Sequence, residues 1–151
     1  MEVEIKAVGE HQIGRVLGVD PGTVRVGLAL SDSNRSVATP FKIILNENET
    51  QVVKCIGDIV GEEAITLVVV GVPVSLSGAN GPKALESLKL VSRLKQFLDI
   101  DVLGWDERFT SKIASRSLSE LQRSSKHRRG KLDANAAAIM LQSYLESLKR
   151  D

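Results

Sequence analysis

The chain holds 151 residues, 42% hydrophobic and 26% charged, enough for one domain with a core of its own and unlike a disordered or fibrous composition. Twenty Lys and Arg against nineteen Asp and Glu leave a net charge of +1, so bulk charge selects no partner. The single cysteine, Cys55, excludes an internal disulfide framework and a cysteine-based zinc site, and no apolar run approaches the roughly 18 residues of a membrane span.

Residues 1–14 read as a short N-terminal extension to a single domain over 1–151. Their acidic, interrupted pattern is unlike a secretory signal, so a cytoplasmic protein is expected. Strands are predicted at about 15–20, 24–31 and 41–46. Pro21-Gly22 is a turn signal between the first two, because Pro sets φ and Gly allows φ > 0. A helix is predicted over 50–61, with Val52, Val53, Ile56, Ile59 and Val60 at helical spacing and Cys55 as a small buried residue among them. Leu67 to Val72 is a fully apolar strand.

Pro82 opens a further helix at a tolerated first-turn position, with Leu85, Leu88, Val91, Leu94 and Leu98 as its apolar stripe. Asp101 to Trp105 is another strand, followed by Asp106-Glu107-Arg108. Thr110 or Ser111 is placed to cap a helix through about Leu121, and Asp133 begins a last helix with Ala137, Leu141, Tyr144, Leu145 and Leu148 on its apolar face. The order βββ-α-β-α-β-α-α implies an α/β fold. Three antiparallel N-terminal strands and later parallel ones would form a mixed five-stranded sheet with helices on both faces.

In open α/β sheets, sites gather at the carboxyl ends of strands. Asp20 stands where the first strand leaves the sheet, a costly place for a charge unless it is paired or bound to a metal. Glu107 follows a later strand, and Asp133 lies in the first turn of the last helix, on a face shared with Ala136, Ala137, Met140 and Tyr144. The small residues Ala134, Ala136, Ala137 and Ala138 would let that helix approach the sheet closely. Taken singly, each acid has a plainer role: a turn former, a surface partner of Arg108 or Arg25, and a residue favoured by the helix dipole. Together they suit a divalent cation, Mg²⁺ or Mn²⁺, which relieves the repulsion of gathered carboxylates through hard oxygen ligands. Two such ions about 3.5–4 Å apart can bind a phosphodiester, activate water and stabilise the leaving oxygen. Asp106 is a rival or helper to Glu107, and Asp32 is a fourth acid only if the second strand bends back.

The segments GVDPGTVRVGLALSD, VVVGVPVSLSG, DERFTS and KLDANAAAIMLQSYL, in this order from Gly18 to Leu145, resemble the four motifs of the YqgF/RuvX family. That family is described as Holliday junction resolvases and as the pre-16S ribosomal RNA nuclease. The resemblance spans nearly the whole chain. It implies an RNase H-like fold and metal-dependent phosphodiester hydrolysis, with Asp20, Glu107 and Asp133 as the catalytic and metal-binding acids.

Residues able to hold nucleic acid cluster near these acids. Backbone N–H groups around Gly22-Thr23 suit a phosphate, and Arg25 suits bidentate contact. Arg108 either faces the scissile phosphate or neutralises its neighbour. Between Arg123 and Lys131 five basic residues and no acid form an electrostatic footprint, in which Lys126, Arg128 and Arg129 would present substrate to Asp133. His127 in that run is read as solvated and stays outside the catalytic set. With 3% aromatic residues, stacking platforms are scarce and backbone recognition is favoured.

The expected partners are pre-rRNA or branched DNA and ribosomal precursor particles, with the chain as a monomer or weak homodimer. Three functions compete: a nuclease of rRNA processing or junction resolution, a nucleotide-binding module with a similar acidic phosphate turn, and a non-catalytic ribosome-assembly factor. Length weighs against the second, which normally needs two large lobes.

Overall fold

The computed structural model describes residues 13–75, 77–78, 80–109 and 132–149; of Leu132 and Asp133 only the backbone is described. In chain order the elements are β1 (Arg15–Pro21), β2 (Arg25–Ser31), β3 (Ala38–Leu45), α1 (Glu49–Glu62), β4 (Ile65–Val72), α2 (Pro82–Phe97), β5 (Asp101–Asp106), a 3₁₀ turn (Glu107–Phe109) and α3 (Leu132–Ser147). The predicted helix from Thr110 or Ser111 to Leu121 lies outside the described residues, as do most of the N-terminal extension and the basic loop carrying Lys126, Arg128 and Arg129.

The five strands form one mixed sheet in the order β3-β2-β1-β4-β5. β1 runs antiparallel to β2 and β2 to β3, whereas β1, β4 and β5 are parallel. β1 and β4 lie at the centre, covered on both faces, which is why their sequences read as nearly unbroken apolar runs. β3 starts at Ala38, three residues ahead of the predicted start, and so takes in Pro40. A proline cannot donate to a ladder, and it is tolerated here because β3 is an edge strand with a register shift opposite Leu28/Ala29.

Helices cover both faces. On one, α1 and α2 pack with Leu17, Val19, Val68 and Val70; on the other, α3 packs with Val16, Ala29, Leu67 and Val69. Asn48 caps α1 by accepting hydrogen bonds from the Thr50 and Gln51 N–H groups at 2.9 and 3.3 Å. Pro82 stands in the first turn of α2, as predicted, but the buried stripe of that helix differs. Leu85 and Leu88 are 56% and 39% exposed, and the face turned to the sheet carries Ala84, Ser87, Leu90, Val91 and Leu94. A shift of one or two positions rotates the apolar arc, so a serine is buried where a leucine was expected.

On α3 the close approach is real but uses fewer alanines than expected. Ala134, Ala137 and Ala138 are fully buried, whereas Ala136 is exposed. The contact is closest at Gly18 of β1, where an added Cβ would stand 2.9 Å from Leu141 Cβ. Glycine is therefore what lets α3 lie down on the central strand.

Candidate active site

The site is built at the ends of the three parallel strands. Val19 of β1 pairs with Val70 of β4, and Gly71 of β4 pairs with Trp105 of β5, so Asp20, Gly71 and the residues after Trp105 stand side by side. Strand alternation turns Asp20 and Gly71 away from Val19 and Val70, towards the α3 face. β5 ends at Asp106, and the 3₁₀ turn then swings Glu107 back over the sheet. A Cβ on Gly71 would collide with Glu107 Oε2, so the glutamate occupies the space that this glycine leaves open. Across that gap the Glu107 and Asp20 carboxyl groups share a hydrogen bond.

Burial pushes the Glu107 carboxyl above its ordinary value, the hydrogen bond with Asp20 works the other way, and the charge of Asp106 adds to the rise. The net direction is upward. Two carboxyl groups in hydrogen-bond contact need one proton between them, so this pair favours either a retained proton or a bound cation.

The neighbouring Asp106 is engaged otherwise. Arg108 Nε donates to Asp106 Oδ1 and Oδ2 at 3.1 and 3.0 Å, and Arg108 Nη2 reaches Oδ2 at 2.7 Å. Asp106 is thus held below the usual carboxylate range by its hydrogen bond to Arg108, and Arg108 neutralises Asp106 rather than Glu107. That decides which of the two adjacent acids faces Asp20. Arg108 Nη1 also lies 3.4 Å from the Ser75 carbonyl oxygen, tying the loop after β4 to the same corner. In that loop Ser75 and Ser77 hydroxyls are 3.0 Å apart, and Gly78 adopts φ 89°.

Thr23 and Arg25 are exposed at the β1–β2 turn that follows Asp20. The turn is tight: a Cβ on Gly22 would collide with the Arg25 carbonyl oxygen. Asn46 clamps it, donating from Nδ2 to the Gly22 carbonyl at 2.7 Å and from its backbone N–H to Val24 at 2.8 Å. Asp32 is far from this arrangement in function. Its Oδ1 accepts from the Ser36 and Val37 N–H groups at 2.7 and 2.9 Å, which makes it a turn residue and not a fourth acid.

Asp133 lies in the first turn of α3, and its side chain is outside the described residues. The helix that carries it is fastened to the turn that carries Glu107: Ser143 Oγ donates to the Phe109 carbonyl at 2.8 Å, and Trp105 packs edge-on against Tyr144 and Phe109 at 5.4 and 5.8 Å. Among the described residues no group of three or more His, Cys, Asp or Glu is arranged to hold a metal. Asp20 and Glu107 present carboxylate oxygens of the hard kind that Mg²⁺ or Mn²⁺ takes, held together across the space over Gly71.

Two positioning residues escaped the sequence reading. Gly71 had a signal, a glycine interrupting an otherwise β-branched strand, which marks close approach of another group. Asn46 had none beyond its place after a strand.

Comparison with known proteins gives a consistent picture. The profile of the family described as "RuvX: Holliday junction resolvase" matches residues 14–147. A protein of Sulfurihydrogenibium sp. named "Putative pre-16S rRNA nuclease" is 37% identical over 138 residues, covering 90% of this chain and 92% of the relative. One of Caldanaerobacter subterraneus with the same name is 39% identical over 136 residues, covering 89% and 98%. Among solved structures, Thermus thermophilus RuvC in complex with Holliday junction substrate superposes with TM-score 0.60 at 13% identity, covering 89% of this chain and 94% of that one. The fowlpox virus resolvase does so with TM-score 0.54 at 16% identity, covering 90% and 99%. At these identities the structural likeness speaks for the fold alone, an RNase H-like resolvase fold.

Proposed function

The chain belongs to the RuvX family, also called YqgF, and from that membership we propose that it is a metal-dependent nuclease that hydrolyses phosphodiester bonds of structured nucleic acid. The observation that carries this reading is the hydrogen-bonded pair Asp20 and Glu107, half-buried over Gly71 where the parallel strands end. Two acids kept in contact in a half-buried place cost stability, and such sites recur where function requires them.

Asp20 and Glu107, joined by Asp133 from the first turn of α3, would hold Mg²⁺ or Mn²⁺. Bound there, two such ions would polarise the phosphodiester, lower the pKa of an attacking water and steady the leaving oxygen. The remaining work falls to the chain. Thr23 and Arg25 border the acids on the β1–β2 turn and contact the backbone of the strand. Arg108 braces Asp106 and the Ser75 loop and exchanges part of that pairing for phosphate. Lys126, Arg128 and Arg129 supply the sequence-independent attraction.

The relatives' names favour pre-16S rRNA as the substrate, and we place the cleavage at its 5′ end during ribosome biogenesis, on ribosomal precursor particles. The description of the family profile favours a second substrate, the Holliday junction of DNA recombination. One experiment separates them: the purified chain and its Asp20→Asn variant are each incubated with a precursor rRNA fragment and with a four-way DNA junction, in Mg²⁺ or Mn²⁺. Cleavage of the rRNA fragment by the wild type only supports the first reading, and cleavage of the junction only supports the second. Binding of either without cleavage under both metals would overturn the enzyme reading in favour of a non-catalytic assembly factor.

A further inference from the structure

A cavity of about 360 Å³ opens on the side of the β1–β2 turn opposite the acidic pair, between that turn and helices α1 and α2. Its rim includes Pro21, Gly22 and Thr23, the three residues that follow Asp20, so the turn is a shared wall between the acids and this space. The volume lies at the lower end of the roughly 300–1,000 Å³ typical of sites that enclose small molecules. That volume is enough for one mononucleotide.

The lining is unusual for a solvent gap. Ser87 belongs to the buried face of α2, is 2% exposed, and makes no hydrogen bond within the described residues, yet its side chain forms part of the cavity wall. Among the described residues the enclosed side-chain atom without a partner is Trp105 Nε1, not Ser87 Oγ, so the serine hydroxyl opens on the cavity and can bond what enters there. One turn earlier, Lys83 stands in the first turn of α2, whose N-cap Gly81 offers no side-chain hydrogen bond, so the first N–H groups of the helix remain available to an anion. Lys89 adds a second cation. Of the two acids on the rim, Glu49 is already paired with Arg93 at 2.8 Å, which leaves Glu86.

The floor is apolar, made by Val26, Val52 and Leu90. Asn46, which clamps the turn through its Nδ2, also lines this space. Cations beside a helix N-terminus suit a phosphate, whereas a carboxylate, an amide and a hydroxyl over an apolar floor suit the polar edge and flat face of a base. Neither half alone matches the whole lining. We propose that this cavity is a subsite for one nucleoside monophosphate unit, its phosphate at Lys83 and the start of α2 and its base against Ser87, Asn46 and Glu86.

If the unit belongs to a nucleic acid strand, the subsite rests on the nuclease proposal and holds a nucleotide flanking the cleaved bond. If it is a free nucleotide, the same chemistry serves as a separate binding site.

The test uses the full chain carrying Asp20→Asn, so that no strand is cut, and follows the backbone amide NMR resonances of Val52, Ser87 and Leu90. The titrants are adenosine 5′-monophosphate, a short single-stranded RNA and inorganic phosphate. Saturable shifts with the RNA support the subsite and identify the strand as its occupant; shifts with the mononucleotide only support it and identify a free nucleotide. Ser87→Ala is expected to weaken binding about fivefold, the ordinary worth of one hydrogen bond. Lys83→Gln, an exposed position whose replacement leaves the core untouched, should do the same and reduce the salt slope by about one. Absence of shifts with every titrant, equal shifts with inorganic phosphate, or unchanged affinity in the Lys83→Gln chain overturns the proposal. Because cleavage by the wild type is measured separately, failure of the subsite leaves the nuclease reading intact, and the reverse also holds.

Discussion

The two ends of the sheet handle charge in opposite ways. Where β1 begins, the polar side chains are tied into a network. Arg15 pairs with Glu63 at 2.7 Å and donates to the Ser31 carbonyl. Ser31 Oγ accepts from the Val16 N–H, and Asp32 closes its turn on Ser36 and Val37. Arg35 is 8% exposed, yet it reaches the Gly14 carbonyl at 2.9 Å and Thr66 Oγ1 at 3.0 Å. Where β1 ends, Asp20 and Glu107 face each other over a glycine. Satisfied networks hold a fold; an acidic pair held in place by its surroundings is ready for a ligand that the chain does not supply. On the proposed nuclease reading, the first end is scaffold and the second is machinery.

The sharpest break comes at the acidic end. Asp20→Asn should lower the rate of phosphodiester cleavage on the order of a thousandfold or more, since metal ligation supplies several kcal/mol of transition-state stabilisation. The same change removes a repelling charge, so the thermal midpoint of the metal-free protein should rise, and added Mn²⁺ should no longer raise it further. Gly71→Ala tests the cradle without touching an acid. Its methyl group meets Glu107, and displacing that carboxylate by about an ångström should cost about a hundredfold in rate while the fold persists. Wild-type rates in a folded Gly71→Ala chain would refute the role of the gap.

At the scaffold end the expected effects are on stability and not on rate. Arg35→Met strips the Gly14 carbonyl and Thr66 of their donor and should destabilise the chain by about 2–3 kcal/mol in urea titrations. Cleavage per folded molecule should stay as it was. The ends also differ in the sign of their pH dependence. The raised Glu107 value means that the folded chain holds its proton more tightly than the unfolded one. The stability it contributes is present below the ordinary value of 4.5 and is lost as pH rises through the raised one. Glu107→Gln should erase that slope in metal-free denaturation curves. For Asp32, slight burial opposes the shift, but backbone hydrogen bonds from Val37 and Ser36 outweigh it and lower the value. Its contribution is therefore present above 3.8 and fades as pH falls. The smallest effect belongs to the Arg15–Glu63 pair, about a third exposed on each side, where Glu63→Gln should cost under about 1 kcal/mol.

Much of the fold was legible because it is written in short-range periodicity. An apolar run marked β4 as a strand, and Pro82 marked the start of α2. Asp20 and Glu107 were legible as acids at strand ends, and a family motif covers each of them. The choice between Glu107 and Asp106 was not. It depends on the parity of β5 and on a 3₁₀ turn that reverses the direction of the next side chain, and neither leaves a local pattern. The helical stripe of α2 was misplaced because its leucines outnumber the positions that the sheet can cover, and only packing selected the arc containing Ser87.

The order and type of the described elements, the candidate acids and the family to which the chain belongs follow from residues read along the polymer. Local backbone preference and side-chain period are properties of neighbours in sequence. Which groups meet was decided only when β1, β4 and β5 lay side by side. Gly71 made room for Glu107, Arg108 turned to Asp106, and a serine was enclosed beside the turn after Asp20. Those contacts join residues far apart in the chain, and they exist only once the sheet has set its register and its helices have found their phase.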